Sequence, residues 1–335
     1  MSGALSHDLP ALKTSGNRIV DCVSGTAVKL KGVVRSGLEY SGVADSLASA
    51  GITENEIEEI VGKWGANIIR LPFNQDWALA RPVSQDSPGY DPSPYLRAVD
   101  FVIDKAAARG AYTLLDLQWL DAKVPRGLNQ DLSANYVPAL PNLDSIDLWR
   151  QLAARYEGES AVLYDVFNEP HDAYPNDPNP LLGMRGDGTT LELKSRRVTM
   201  KEWQPWATRL IKAVRSENSD ALIFVSGVNW GFDLRGFPLP EIANVVYSTH
   251  VYSNKGSNWD SAFGDLSKQY PVFASEWGIG DGEMDWGQEL VEYFDRHDIG
   301  WTAWSWTDVP NLVERLSPNY QPTAFGQLVR SLLNS

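Results

Sequence analysis

Two glutamates follow apolar segments in similar settings. The first ends the segment Asp165–Pro170, DVFNEP, where an amide side chain precedes it and a proline follows. A carboxyl group at the end of a buried strand lies in a low dielectric, which raises its pKa and suits it to donate a proton. Taken alone, Glu169 is also compatible with a structural glutamate that caps the next turn.

The second glutamate, Glu276, ends the apolar segment Pro271–Gly278, PVFASEWG. It lies 276 − 169 = 107 residues after Glu169, which is three units at roughly 36 residues per strand–helix unit of a barrel. That places the two carboxylates on the fourth and seventh strands, opposite each other at the barrel mouth. Two opposed carboxylates are what glycosidic bond cleavage requires.

In these motifs the chain resembles glycoside hydrolase family 5, which belongs to a retaining clan and has the (β/α)8 barrel fold. The resemblance spans about residues 28 to 330 and rests on five landmarks in order. Besides the two glutamate motifs, these are Arg70-Leu71-Pro72 after strand two, His250-Val251-Tyr252 after strand six, and the segment WSWTD at 304–308 after strand eight.

The resemblance implies a role for each matching residue. Glu169 would be the general acid/base and Glu276 the nucleophile. Asn168 would bind the sugar 2-hydroxyl, while Arg70 and Tyr252 would hold and polarise the nucleophile. No metal or organic cofactor is implied.

The third strand departs from the family pattern. Where the family usually carries a histidine, this chain reads DLQW at 116–119, with Gln118 in the histidine position. Glutamine can still donate and accept hydrogen bonds but cannot be charged. We therefore expect the chemistry to survive and the choice of sugar at the −1 subsite to differ. His250 would orient the acid/base.

Aromatic residues are abundant, with 13 Trp and 13 Tyr, and aromatic faces are platforms for sugar rings. Trp64, Trp149 and Trp203 have helical spacing and are expected in the core. Trp77 and Trp259 follow strand ends and are further candidates for lining a cleft. The predicted substrate-binding residues are Gln118, Trp119, His171, Trp230, Trp277, Trp304 and Trp306.

Strand-like and helix-like segments alternate through the chain, which predicts a parallel sheet with crossover helices. The strands are short and continuously apolar, as expected when both faces are buried. The predicted strands are Val28–Val34, Asn67–Leu71, Tyr112–Leu117, Val162–Phe167, Ala221–Ser226, Val245–Thr249, Val272–Ser275 and Trp301–Trp304.

Helix signals separate these strands. Capping boxes are predicted at Thr53–Glu56 and at Thr199–Glu202, and Pro205 is expected to move the start of the second helix further along the chain. Long connections follow strands two, three and four, at 74–91, 120–143 and 172–197. These leave the face on which barrel enzymes build their sites.

Composition excludes several classes. A net charge of −14 disfavours nucleic acid and acidic membranes as partners. One cysteine and four histidines make a cysteine cage or a three-histidine zinc site improbable. The first residues carry no secretory signal pattern, so we expect a cytoplasmic protein unless a signal was removed from a secreted one.

Together, these features predict a single-domain α/β protein, a (β/α)8 TIM barrel over residues 1–335 with 1–19 as a lead-in. The predicted activity is a monomeric retaining β-glycoside hydrolase on an oligo- or polysaccharide, with endo-β-1,4-glucanase first. A β-mannanase, an exo-β-glycosidase and a transglycosylase on the same scaffold are alternatives. A non-catalytic carbohydrate-binding barrel and a barrel enzyme acting on small phosphates are the alternatives of another class.

Overall fold

Eight parallel strands close into a barrel in a computed structural model of the chain. The structure describes residues 9–40, 46–80, 91–120, 138–172, 182–184, 190–192, 197–239, 242–315, 317 and 319–335. The barrel strands are β3 (Lys31–Val34), β4 (Ile68–Asn74), β5 (Tyr112–Trp119), β6 (Val162–Asp165), β9 (Ile223–Ser226), β10 (Val245–Val251), β11 (Val272–Trp277) and β12 (Gly300–Ala303).

The predicted fold class is therefore confirmed, and each predicted strand overlaps one observed strand. Every residue of β4, β6, β9, β10, β11 and β12 is buried, which is why these segments are continuously apolar. Most of the buried apolar side chains form one cluster between the strands and the surrounding helices. A smaller cluster fills the barrel interior below the site and includes Leu114, Phe224 and Phe273.

Helices cover the outside of the barrel. The helix begun by Thr53, whose side chain accepts a hydrogen bond from the backbone N–H of Glu56, continues as a π-helix over Glu58–Lys63. The described α-helices are α1 (Ser46–Ala50), α2 (Glu54–Ile57), α3 (Gln75–Leu79), α4 (Ser93–Ala107), α5 (Leu143–Arg155), α6 (Met200–Glu217), α7 (Asp265–Ser267), α8 (Met284–Arg296) and α9 (Ala324–Leu333).

The expectation for Pro205 was wrong. Helix α6 begins at Met200, behind a reciprocal capping box between Thr199 and Glu202, and Pro205 lies inside the helix. The box fixes the start because each of its two residues satisfies a backbone N–H of the other. A proline this close to the N-terminus removes only one backbone hydrogen bond, and that loss does not delay the helix.

Two small antiparallel hairpins lie outside the barrel. Strands β1 (Leu12–Ser15) and β2 (Arg18–Asp21) form one of them, and Leu12 and Ile19 pack on the lower barrel cluster. Strands β7 (Leu182–Met184) and β8 (Thr190–Glu192) form the other, within the third long connection. Most of the three long connections predicted from the sequence lies outside the described residues. Among the helices that the structure does describe, none has the length and apolar character of a membrane span.

Candidate active site

Arg70, at the middle of β4, is the centre of a buried charged cluster at the top of the barrel. Its Nε donates to Asp165 at 3.0 Å, its Nη1 donates to Glu276 at 2.6 Å and its Nη2 donates to Asn168 at 2.9 Å. Nη2 also forms an ion pair with Asp116 at 3.0 Å. One guanidinium thus links β4 to side chains of β5 and β11 and to the end of β6.

Burial sets the protonation of the two aspartates. It raises the pKa of Asp165 to about 7, against the lowering effect of Arg70. It raises the pKa of Asp116 as well, and the neighbouring carboxylates of Asp165 and Glu276 add to that rise. Both aspartates therefore release their protons at a higher pH than a carboxyl group in water does.

Glu276 is held by donors on both oxygens. Arg70 donates to Oε1, and the hydroxyl of Tyr252 donates to Oε2 at 3.0 Å. Burial, together with the charge of Glu276, raises the pKa of Tyr252, so this hydroxyl keeps its proton and remains a donor. Two donors on one carboxylate fix its orientation, as a nucleophile requires.

Glu169 lies in a different environment. Burial raises its pKa, while its side chain remains 18% exposed and can reach a ligand. Nδ1 of His250 lies 2.8 Å from its Oε1. A carboxyl group that favours the protonated form and remains accessible is suited to donate a proton.

His250 is neutral, because burial lowers its pKa to about 3. Its Nε2 lies 2.9 Å from the hydroxyl of Ser275, which is hydrogen-bonded in turn to the hydroxyl of Ser248. A hydroxyl can donate or accept, so the ring can exchange tautomers as Glu169 gains or loses its proton. The arrangement therefore supports Glu169 in both its acid and its base form.

The two glutamates lie close together. Glu169, His250 and Glu276 offer side-chain atoms that all lie within 4.8 Å of one another. One oxygen of Glu169 and one oxygen of Glu276 are thus no more than 4.8 Å apart. This approach is nearer to the roughly 5–5.5 Å between the carboxyl groups of retaining enzymes than to the roughly 6.5–9.5 Å of inverting enzymes. The same three atoms could ligate a divalent cation, and the absence of a metal stays a prediction.

Strand irregularities place these side chains. The pairing of β10 with β11 shifts between Thr249 and His250, so that His250 lies opposite Glu276 and Ser275 is skipped. A similar shift occurs between β11 and β12 after Ala274. Bulges of this kind redirect a side chain at the end of a strand.

Two glycines make room for the catalytic side chains. A Cβ on Gly231, whose φ is +75°, would lie 2.6 Å from the ring of His250. A Cβ on Gly278 would lie 2.8 Å from Pro310 and 3.2 Å from the ring of Tyr252. Any larger residue at either position would displace a side chain that contacts one of the glutamates.

A cleft of about 660 Å³ opens beside Glu169. Two other predicted residues, Trp230 and Tyr252, line it. Lys255 and the pair Val309–Pro310 also line it, and the sequence interpretation missed them. The available signal for Lys255 was its position just after the end of strand six, three residues beyond Tyr252.

The structure corrects part of the aromatic set. Trp277 and Trp306 are fully buried: Trp277 packs on Trp301 and Phe325, and Trp306 packs on Trp64. They therefore present no face to a sugar.

His171 is 1% exposed and stacks on Trp230 at 4.1 Å, so it supports that ring from behind rather than facing the cleft. Trp119 and Trp259 are also buried. Trp119 meets the ring of Tyr40 edge-on, and Trp259 packs on Trp286.

The other residues considered in the sequence differ in how exposed they are. Trp230 and Trp304 are half-buried and keep accessible ring surface, and Trp77 is also half-buried. Trp64, Trp149 and Trp203 are fully buried, which confirms their assignment to the core. Gln118 is half-buried, and its Oε1 has no hydrogen-bond partner among the residues that the structure describes.

Comparison with known proteins agrees with this geometry. The family model described as cellulase, glycosyl hydrolase family 5, matches residues 24–309. Among curated relatives, the chain is 24% identical over 316 residues to endoglucanase MaCel5A of Microbulbifer sp. (strain ALW1), covering 89% of this chain and 51% of that protein. It is 23% identical over 300 residues to endoglucanase E-5 of Thermobifida fusca, covering 85% and 53%. The chain thus spans about half the length of these relatives.

Solved structures show the same fold. A β-glucanase from Saccharophagus degradans, SdGluc5_26A, superposes with a TM-score of 0.72 at 21% identity, over 98% of this chain and 94% of that one. The catalytic domain of Thermobifida fusca endoglucanase Cel5A, solved with cellotetraose, superposes with a TM-score of 0.69 at 20% identity, over 99% and 100%. The match of the family model over most of the chain confirms the resemblance, and the chain belongs to the cellulase family, glycosyl hydrolase family 5.

Proposed function

We propose that the protein is a retaining endo-β-1,4-glucanase. The observation that carries the proposal is a pair of carboxyl groups that approach each other, with one oxygen of each no more than 4.8 Å apart. One of them is fixed by two donors, and the other is accessible and has a raised pKa. Two carboxylates with different environments divide the acid and nucleophile roles between them. The curated relatives are endoglucanases by name.

The proposed reaction is a double displacement. Glu276 attacks the anomeric carbon while Glu169 gives its proton to the departing oxygen, so the glycosidic bond breaks as the glycosyl–enzyme bond forms. Glu169, now ionised, removes a proton from water, which attacks the same carbon and releases Glu276. His250 follows the charge of Glu169 by donating Nδ1–H to the ionised carboxylate.

Three residues are proposed to contact the sugar that carries the reacting carbon. The Oδ1 of Asn168 accepts from Arg70, so its amide N–H groups are left to donate to a sugar hydroxyl. Trp304 is half-buried, is not among the residues of the apolar core, and would stack under the −1 sugar. Gln118 would bind a hydroxyl of the same sugar with its unpartnered oxygen.

The test is hydrolysis of β-1,4-glucans, mixed-linkage glucans, β-mannans and aryl β-glycosides by wild type, Glu169→Gln and Glu276→Gln. We expect wild type to release sugar fastest from β-1,4-glucans and both variants to lose on the order of 10³-fold or more in kcat. Preference for mannan would replace the proposed substrate and keep the mechanism. Activity retained by either variant would refute the mechanism.

A further inference from the structure

Lys255 is a cation in the cleft that the reaction described above does not use. It lies in a short 3₁₀ turn, Ser253–Lys255, directly after β10. Its Nζ donates to the backbone carbonyl of Asn229 at 3.1 Å and lies 5.9 Å from the centre of the Trp230 ring. An ammonium group has three N–H donors. Among the described residues one of them is used, which leaves two for a ligand.

Lys255 lies on the same side of the cleft as Glu169, the proposed acid/base. Burial lowers the pKa of Lys255, and the negative charges of Glu169, Asp172 and Glu276, in decreasing order of effect, raise it. Trp230, against which it lies, donates its backbone N–H to the carbonyl of Pro170, the residue after Glu169. The ammonium and the indole are thus attached to the segment that carries the proton donor.

In a double displacement, the proton donor lies beside the departing oxygen, so this part of the cleft receives the leaving sugar. Val309, which is 76% exposed, and Pro310 line the same cleft. An aromatic ring, two apolar side chains and a cation are the groups that bind a sugar by its faces and its hydroxyls. The surrounding carboxylates of Glu169, Asp172 and Glu283 favour a neutral sugar over an acidic one.

We propose that Lys255 is a substrate-binding residue for the leaving-group side, where its ammonium donates hydrogen bonds to hydroxyls of the neutral sugar units that depart. This inference rests on the proposed function and extends it. The proposed contact should matter for substrates whose leaving group is a sugar, which presents hydroxyls to Lys255. It should not matter for substrates whose leaving group is a simple aryl group, which presents none.

The experiment compares cellotetraose with an aryl β-cellobioside, using Lys255→Met, which keeps the aliphatic stem, and Lys255→Arg, which keeps the charge. The control is Lys268→Met, which removes a lysine that is 62% exposed and paired only with Asp265 among described residues. Full pH profiles of kcat/KM are recorded for each variant. The charge of Lys255 lowers the pKa of Glu169, so its removal should move the alkaline limb of the profile to higher pH with both substrates, and this effect must be separated from the loss of a contact. His250, Glu276, Arg70, Asp172, His171 and Tyr252 also surround Glu169, and they are unchanged in every variant.

We expect Lys255→Met to lose roughly 10- to 100-fold in the pH-independent kcat/KM for cellotetraose, as for one charge-assisted hydrogen bond, and less than about threefold for the aryl glycoside. Lys255→Arg should recover part of the loss, and Lys268→Met should behave as wild type. Equal losses on both substrates, or no loss on either, would overturn the role of Lys255 and leave the proposed function standing. A wild type that cleaves neither substrate would overturn the proposed function itself.

Discussion

Gln118 is the residue at which this chain differs from the pattern of its family. It lies near the end of β5, two residues after Asp116 of the Arg70 cluster, and no described residue forms a hydrogen bond with its Oε1. A buried polar atom without a partner costs free energy unless a ligand satisfies it. The simplest ligand at this depth of the barrel is a hydroxyl of the −1 sugar.

This assignment predicts that Gln118→Met, a change of similar volume, lowers kcat/KM on the preferred oligosaccharide by roughly 10- to 100-fold. Gln118→His should retain more activity, because an imidazole can also accept from a hydroxyl. Steady-state kinetics with matched melting temperatures would separate binding from folding. Full activity of the methionine variant would show that the amide makes no contact with the substrate.

The sequence predicted the polar residues at the top of the barrel better than the aromatic residues around them. Glu169, Glu276, Arg70, Asn168, His250 and Tyr252 meet as expected because each lies in or just after a recognisable barrel strand. The prediction that Trp277 binds substrate was wrong, although the sequence itself argues against it. Side chains alternate along a strand, so if Glu276 points into the barrel its neighbour Trp277 must point outward. Lys255 was missed because a single lysine after a strand forms no pattern until a fold brings it to a cleft.

At the scale of elements, the turn after β9 decides where His250 lies. Asn229, Trp230 and Gly231 all have positive φ, and this conformation brings the backbone of Gly231 against the imidazole, with the His250 N–H donated to the Gly231 carbonyl at 3.2 Å. Such a conformation is unfavourable for residues other than glycine and persists where the surroundings enforce it.

Gly231→Ala should therefore displace the His250 ring and lower kcat by roughly 10- to 1000-fold, since a misplacement near 1 Å can cost about 100-fold. The matched control is Gly236→Ala, because Gly236 also has a positive φ of +72° but a Cβ there would meet no atom within 4 Å. Both variants should lose about 1 kcal/mol of stability, and only Gly231→Ala should lose activity. Equal activity in the two would remove the steric explanation.

The elements themselves were predictable in number and order but not in their ends. Strand β3 begins at Lys31 rather than Val28, and β4 and β5 continue past their predicted ends to Asn74 and Trp119. The extension of β5 carries Gln118, and β10 and β11 also continue past their predicted ends, through His250 and Glu276. Hydropathy alone therefore ended these strands too early. The pairing between neighbouring strands, which no local pattern records, determines where each of them stops.

For the whole molecule, the buried carboxyl groups make stability depend on pH. Burial raises the pKa of Glu39 from 4.5 to about 8, although the backbone N–H of Gly37 donates to it. Arg35, four residues before Glu39, is buried in an ion pair with Glu56 at 2.7 Å. Glu39 is therefore protonated in the folded protein under conditions in which the unfolded chain would ionise it.

This difference in protonation sets the direction in which the free energy of unfolding changes with pH. Between pH 4.5 and about 8 the folded state holds a proton that the unfolded state has lost, so the free energy of unfolding should fall as pH rises through this window. Urea unfolding at several pH values would measure the slope. Glu39→Gln should flatten it and the exposed control Glu289→Gln should not, whereas an unchanged slope in Glu39→Gln would mean that Glu39 is ionised in the folded protein.

The central claim is that Glu276 forms a covalent intermediate with the sugar, while Glu169 acts first as the acid and then as the base. The stereochemistry of the first product tests this claim most directly. Proton NMR of a cello-oligosaccharide digest, recorded within the first minutes before mutarotation, reports the configuration of the newly formed reducing end. Two displacements at one carbon restore the β configuration, so the β-anomer should appear first and the α-anomer only later. Early appearance of the α-anomer would mean that water attacks directly, and it would contradict the double displacement.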